Sequence, residues 1–320
     1  MKIGVLTVLL SNRPFEEALD YLVAIGVEAV EIGTGAYPGS AHCKPDELLR
    51  SDAKLRAFRR AIESRNLAIS ALSCHGNPLH PQRARARADH RVFEQTVRLA
   101  AKLDVPTVIT FSGCPGSDSR ATQPSWITAP WPPEFLENLE WQWKAQVIPY
   151  WKDTARLLRT AGVRVAIEMH PNFVAYNPET MLRLRKIAPR QIGCNFDPSH
   201  LFWQQIDVVA AVRALGAPPP PPPPPPRRID PLNTQVNGVL DAKRYTRERD
   251  RAWLFRTVGY GHDAAVWRDL ISALRLNGYD DVISIEHEDS LMSPTEGLEK
   301  AVAFLKGLVI SERPGEAYWA

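Results

Sequence analysis

Short β-branched apolar runs alternate with longer amphipathic stretches along nearly the whole chain. The runs at residues 2–8, 27–32, 67–73, 105–111, 163–167, 192–196 and 282–285 are predicted strands. Helical periodicity falls between them, at 14–25, 48–64, 91–103, 135–159, 178–187, Val208–Leu215, Ala264–Leu276 and 294–308. In the first of these, Phe15, Leu19, Leu22 and Ile25 recur at helical spacing behind Pro14, whose fixed φ suits a helix start. The last opens with Ser293 as cap, Pro294 in the first turn and Glu296 three residues after the cap.

Strands separated by helices favour parallel pairing, because each crossover needs a helix to return the chain. Seven strands are marked, and the interval from 192 to 282 has room for one more after the helix Val208–Leu215. Eight such units over 320 residues predict a (β/α)8 TIM barrel occupying 1–320 as one domain. A doubly wound open sheet would want a glycine-rich phosphate turn after the first strand, and Leu9-Leu10-Ser11-Asn12 is not one.

Composition changes this picture at one place. Of 28 prolines, nine form an unbroken run at 218–226, where the missing strand belongs. Proline has no N–H to give a ladder and is confined to sheet edges or bulges, so strand seven is expected to be disrupted. Nine polyproline residues span about 28 Å, enough to cross the gap lengthwise without pairing.

Charge and cysteine usage narrow the function. Lys+Arg 39 against Asp+Glu 36 is too even for a dedicated nucleic-acid binder. The apolar start, MKIGVLTVLL, lacks a cleavage site and reads as a buried strand rather than a leader. No stretch approaches the ~20 apolar residues that span a bilayer. Cys43, Cys74, Cys114 and Cys194 form no CxxC pair and read as reduced thiols. A soluble cytoplasmic protein is expected, with no nucleic-acid or membrane partner.

In a barrel the active site gathers at the C-terminal ends of the strands. Those positions hold Glu31 and Gly33, then His75, Ser112, Glu168, Asp197 and Glu286. Glu168, Asp197 and Glu286 each close an apolar strand. A carboxylate there must be solvated, paired or bound to a metal, since burying it bare costs several kcal/mol. Three together favour a shared ion, although each alone reads as a solvated loop residue. His200 follows Asp197 by three residues, so one turn brings it to the same place, as a ligand or as a loop histidine. His75 is a candidate substrate contact. Strand alternation turns His287 to the other face. His170 would share the face of Glu168 only if its strand ran past Pro171, and both His170 and His287 are left out of the site. The run at 83–91 reads as a solvated helix start. The tryptophans at 126, 131, 141 and 143 suit either packing or a carbohydrate wall.

EMHP at Glu168, NFDPSHLFWQ at Asp197 and His200, GYDDVISIEHED at Glu286 and the early EIGTGAYPG together resemble the xylose-isomerase-like TIM barrel superfamily. Within it they look most like the sugar phosphate isomerase/epimerase group, related to apurinic endonuclease family 2. The resemblance implies one divalent metal ion held by a Glu, an Asp, a His and a Glu from strands five to eight. It makes Glu168, Asp197 and Glu286 the metal ligands and Glu168 and Glu286 the catalytic acid and base. It gives His200 a substrate-binding role beside His75 and Arg228. Oxygen-rich ligands suit Mn2+ or Mg2+, with Co2+ or Zn2+ as alternatives.

The strand-seven histidine is missing, because the prolines fill the interval between Ala214-Leu215-Gly216 and Arg228-Ile229-Asp230. The tract reads as an erroneous or artificial replacement of a parental strand, as a segment around which the barrel closes imperfectly, or as the docking segment of a non-catalytic relative that binds a proline-recognising partner. The kept flanks favour the first. The implied activity is a metal-dependent sugar isomerase or epimerase working on a small-molecule carbohydrate, with a homo-oligomer admitted but not required. The alternatives are a 3-keto-glycoside β-eliminating lyase on the same site and a non-catalytic relative. An endonuclease of this superfamily would want more than eight histidines and a basic surface.

Overall fold

A computed structural model describes residues 1–216, 227–313, 315 and 319, with only the backbone at Arg227 and Arg228. Nine strands are described: β1 (Lys2–Leu6), β2 (Ala29–Gly33), β3 (Ala68–Ser73), β4 (Thr107–Phe111), β5 (Arg164–Glu168), β6 (Ile192–Asn195), β7 (Arg227–Ile229), β8 (Trp253–Phe255) and β9 (Val282–Ile285). Seven of them form one curled parallel sheet in the order β6-β5-β4-β3-β2-β1-β9. These are the seven strands predicted from the pattern, and with the helices around them they make a TIM barrel. The first and last meet, since Lys2 to Val5 pair with Val282 to Ile285.

The expected eighth barrel strand, at 218–226, lies outside the described residues. Beyond it stands an element the pattern misses. β7 pairs antiparallel with β8 as a separate ribbon, Arg228 opposite Leu254. Three-residue strands are too short to show a period of two. The short helices Pro198–Phe202 and Pro231–Asn237 were missed for the same reason.

Two predicted helices are interrupted. At 48–64 there are two helices, Pro45–Arg50 and Asp52–Glu63, because Ser51 turns extended and its side chain caps the second through the Lys54 N–H. At 135–159, Glu134–Trp141 and Ile148–Ala161 flank a wide π turn, Gln142–Val147. Pro149, which cannot donate to a carbonyl four residues back, stands just past that turn. The basic run opens the helix Arg83–Leu103, and Ser293 caps Pro294–Lys306 through the Glu296 N–H, both as predicted.

Alternation along the strands separates a core from a site. Ile3, Val5, Val30, Ile32, Leu72, Val108, Val165, Ile167, Ile192, Cys194, Ile283 and Ile285 join the large core between sheet and helices. The other parity points into the barrel, where Ala71, Ile109 and Ala166 form a small apolar floor. Continuing that parity upward reaches Glu31, Ser73, Glu168, Asn195, Asp197, Ser284 and Glu286. No helix among the described residues is long and apolar enough to cross a membrane.

Candidate active site at the mouth of the barrel

Glu168, the last residue of β5, is the hub. It is buried, and its Oε2 accepts hydrogen bonds from His75 Nε2 at 2.9 Å and Asn195 Nδ2 at 3.0 Å. Its Oε1 accepts from His200 Nε2 at 3.1 Å. His200 Nε2 also lies 2.9 Å from Asp197 Oδ2. Four of the expected site residues, His75, Glu168, Asp197 and His200, therefore stand in one network.

Local sequence explains part of this. Asp197 caps the helix Pro198–Phe202, accepting from the Ser199 N–H at 2.6 Å and Ser199 Oγ at 2.7 Å. The cap fixes the carboxylate and sets His200 one turn away, beside it. His75 arrives from the loop after β3, which sits next to β4 in the sheet, with β5 beyond.

Glu286, directly after β9, is half-buried. Burial and the negative charges of Glu288, Glu168, Asp197 and Glu31 push its carboxyl well above the usual range. Glu168 goes the other way. Burial alone would raise it, but the His75 and His200 rings outweigh burial and hold it well below the usual range. His75 is raised in return: burial lowers it, and the Glu168 charge more than compensates. Deeper in the barrel, Glu31 bonds to Ser73 Oγ and to Ser284 Oγ at 2.9 Å, and burial pushes it up. Arg228 lies on β7, and its side chain falls outside the described residues.

His170 belongs with the site, contrary to the sequence reading. β5 ends at Glu168 as expected, yet the two-residue alternation carries on. The His170 ring lies 4.0 Å from that of His200 and 4.6 Å from that of Phe111. The loop beyond is folded back by His170 N–H to Ala175 O and by Ala175 N–H to Ser112 Oγ, which no local pattern shows. Asn195 was missed too, although its inward parity two residues before Asp197 was legible. His287 faces away as predicted, toward the closing helix, where its ring sits against Gly297. Phe111, stacked on Phe173 at 4.2 Å and 4.6 Å from His75, walls one side of the network. Of the tryptophans, Trp143 is core and Trp131 is exposed.

The donor set fits a divalent cation. One ligand atom each from Glu168, His170 and His200 lie within 4.8 Å of one another. The acidic groups crowding Glu286 are a second sign, because a cation among them would relieve their mutual repulsion.

The model of the family described as xylose isomerase-like TIM barrel matches residues 19–308. The uncharacterized protein YfiH of Bacillus subtilis (strain 168) is 36% identical over 309 residues, 96% of this chain and 98% of that protein. Among solved structures, the probable 3-DHS dehydratase AsbF of Bacillus anthracis superposes with a TM-score of 0.65 at 17% identity, covering 96% of this chain and 99% of its own. The IolI protein with a bound zinc atom gives 0.63 at 15%, covering 97% and 98%. A D-psicose 3-epimerase solved with D-fructose gives 0.61 at 14%, covering 97% and 99%. At these identities the structures share the fold. The family model and the relative, each matching most of the sequence, carry the assignment: this chain belongs to the xylose isomerase-like TIM barrel family.

Proposed function

We propose that this protein is a divalent-metal-dependent sugar isomerase or epimerase that moves a proton beside the carbonyl of a ketose or keto-sugar. The observation that carries the reading is the gathering of Glu168, Asp197, His75 and His200 in one hydrogen-bonded network at the barrel mouth, with Glu286 at the same mouth on a strand separated from that of Glu168 by four others in the sheet. The family includes sugar isomerases and epimerases, which supports an enzyme of this kind.

Glu168, Asp197 and Glu286 would hold the ion, with His170 and His200 within reach of it. When bound, a divalent ion supplies Lewis-acid polarisation of neighbouring carbonyl and hydroxyl oxygens. Glu168 takes the proton from the carbon beside the carbonyl, leaving an enediolate. His75 and Asn195 fix the Glu168 carboxylate for that transfer. Glu286 returns a proton from the other side. Return to the same carbon inverts it, and return to its neighbour, with the hydroxyl proton passing to the former carbonyl oxygen, isomerises the sugar. His75 holds a substrate hydroxyl, and Phe111 with Phe173 keeps water off one side. Arg228 is assigned the polar end of the substrate.

An elimination on the same carboxylates is the second reading, supported by imidazoles beside Glu168 that could protonate a departing oxygen. Incubation with ketoses and 3-keto-sugars in deuterated water, with and without Mn2+, tests both. Metal-dependent exchange at the carbon next to the carbonyl is expected, and loss of a substituent from a 3-keto-glycoside would select elimination. No exchange with any substrate would overturn the proton-transfer reading. A Glu168→Gln variant with full activity would remove its acid/base role.

A further inference from the structure

We infer that His170 and His200 are themselves ligands of the bound ion, supplying the imidazole that strand seven of this chain does not carry. This rests on the metal-dependent reading above and assigns the residues that complete its site.

The first observation is spacing. Two donor atoms each about 2.1 Å from one ion, at right angles, are about 3.0 Å apart. Glu168 Oε1 and Asp197 Oδ2 lie 3.1 Å and 2.9 Å from His200 Nε2, so His200 shares a ligand-to-ligand edge with each carboxylate. An ion among them would take the place of the proton now shared by those three atoms. The ligand atoms of Glu168, His170 and His200 fall within a 4.8 Å envelope, little wider than the about 4.2 Å between opposite ligands of one ion.

The second observation is tautomeric. His170 Nδ1 lies 2.6 Å from the Pro171 carbonyl oxygen, which can only accept. Nδ1 therefore carries a proton, which makes Nε2 the ring nitrogen that could bind metal. A backbone carbonyl fixing one ring nitrogen so that the other can bind metal is the usual support of a ligating histidine. The ring is further held by Phe111 and Phe173, at centroid distances of 4.6 and 5.6 Å. The third observation is compensation. The interval that would supply a strand-seven histidine is Ala217, nine prolines and Arg227. Without these two imidazoles the ion's expected ligands would be Glu168, Asp197 and Glu286 alone. With them the set becomes two imidazoles and two or three carboxylates, which shifts preference from Mg2+ toward Mn2+, Co2+ and Zn2+.

The test is nitrogen coordination in the Mn2+ complex of the full chain, stripped by chelator and reloaded, with no substrate present. Electron spin-echo modulation should show directly coordinated imidazole nitrogen in the wild type. His170→Gln and His200→Gln should each reduce it and weaken Mn2+ binding by about 10–100-fold in chelator competition. Circular dichroism of each variant separates a lost ligand from a lost fold, and the wild-type spectrum tests the inference without any variant. A Mn2+ complex with no nitrogen modulation, or one unchanged in a folded His170→Gln, would overturn the inference and leave the carboxylate-bound metal reading standing. A chain that takes up no divalent ion would remove both.

Discussion

His75 Nε2 lies 2.9 Å from Glu168 Oε2, although 93 residues separate the two along the chain. The contact joins the loop after β3 to the end of β5 and stands across a network in which both partners are buried. It makes His75 an orienting group for the Glu168 carboxylate. His75→Ala should therefore lower kcat about 10–100-fold with a smaller change in KM. Steady-state kinetics on whichever sugar shows proton exchange would check this. A rise in KM at constant kcat would instead make His75 a binding residue only.

The final helix seats on the barrel through one glycine. A Cβ built on Gly297 would stand 2.0 Å from His287 Cε1, deep in the contact between Pro294–Lys306 and the end of β9. His287 is enclosed there, with Nδ1 3.3 Å from Thr257 Oγ1, so the ring has little room to move aside. Gly297→Ala is expected to destabilise by about 1–3 kcal/mol despite alanine's better helix propensity. Urea unfolding would read the loss, and an unchanged midpoint would show that the ring can move.

Acid should attack the same corner. Asp289 is buried, which by itself would raise its carboxyl, but the Thr257 and Leu291 N–H groups and Arg256 outweigh burial and hold it below its ordinary 3.8. A carboxyl lowered by folding adds stability that is complete above its unfolded value. That stability is lost as the pH falls through the folded value, which places the loss below about pH 4. Denaturation midpoints measured from pH 7 to pH 3 should fall on that limb. Asp289→Asn should be less stable at pH 7 and should show a shallower acid decline.

The four cysteines should be silent in the native protein. Burial pushes Cys43, Cys74 and Cys114 up to about 12 and Cys194 further still. At pH 8 only about one thiol in ten thousand is then the reactive thiolate. Ellman's reagent should find almost no thiol before denaturant and four after it. A fast-reacting native thiol would contradict the packing of the core around it.

The pattern of the chain determined the repeating unit, the inward parity of each main strand and the placing of Glu168, Asp197 and Glu286 at strand ends. Those features rest on periods of 2 and 3.6 that each segment carries within itself. It also determined the pairing of Asp197 with His200, because a capping turn is local. The meeting of His75 with Glu168, the inclusion of His170 and the bond of Asn195 to Glu168 were decided only by tertiary structure, as was the β7–β8 ribbon. His75 reaches Glu168 through the order in which strands pair, and His170 turns inward because a returning loop is tied to Ser112, directly after the neighbouring strand β4. Such relations depend on which segments become neighbours, and no window of sequence contains both partners.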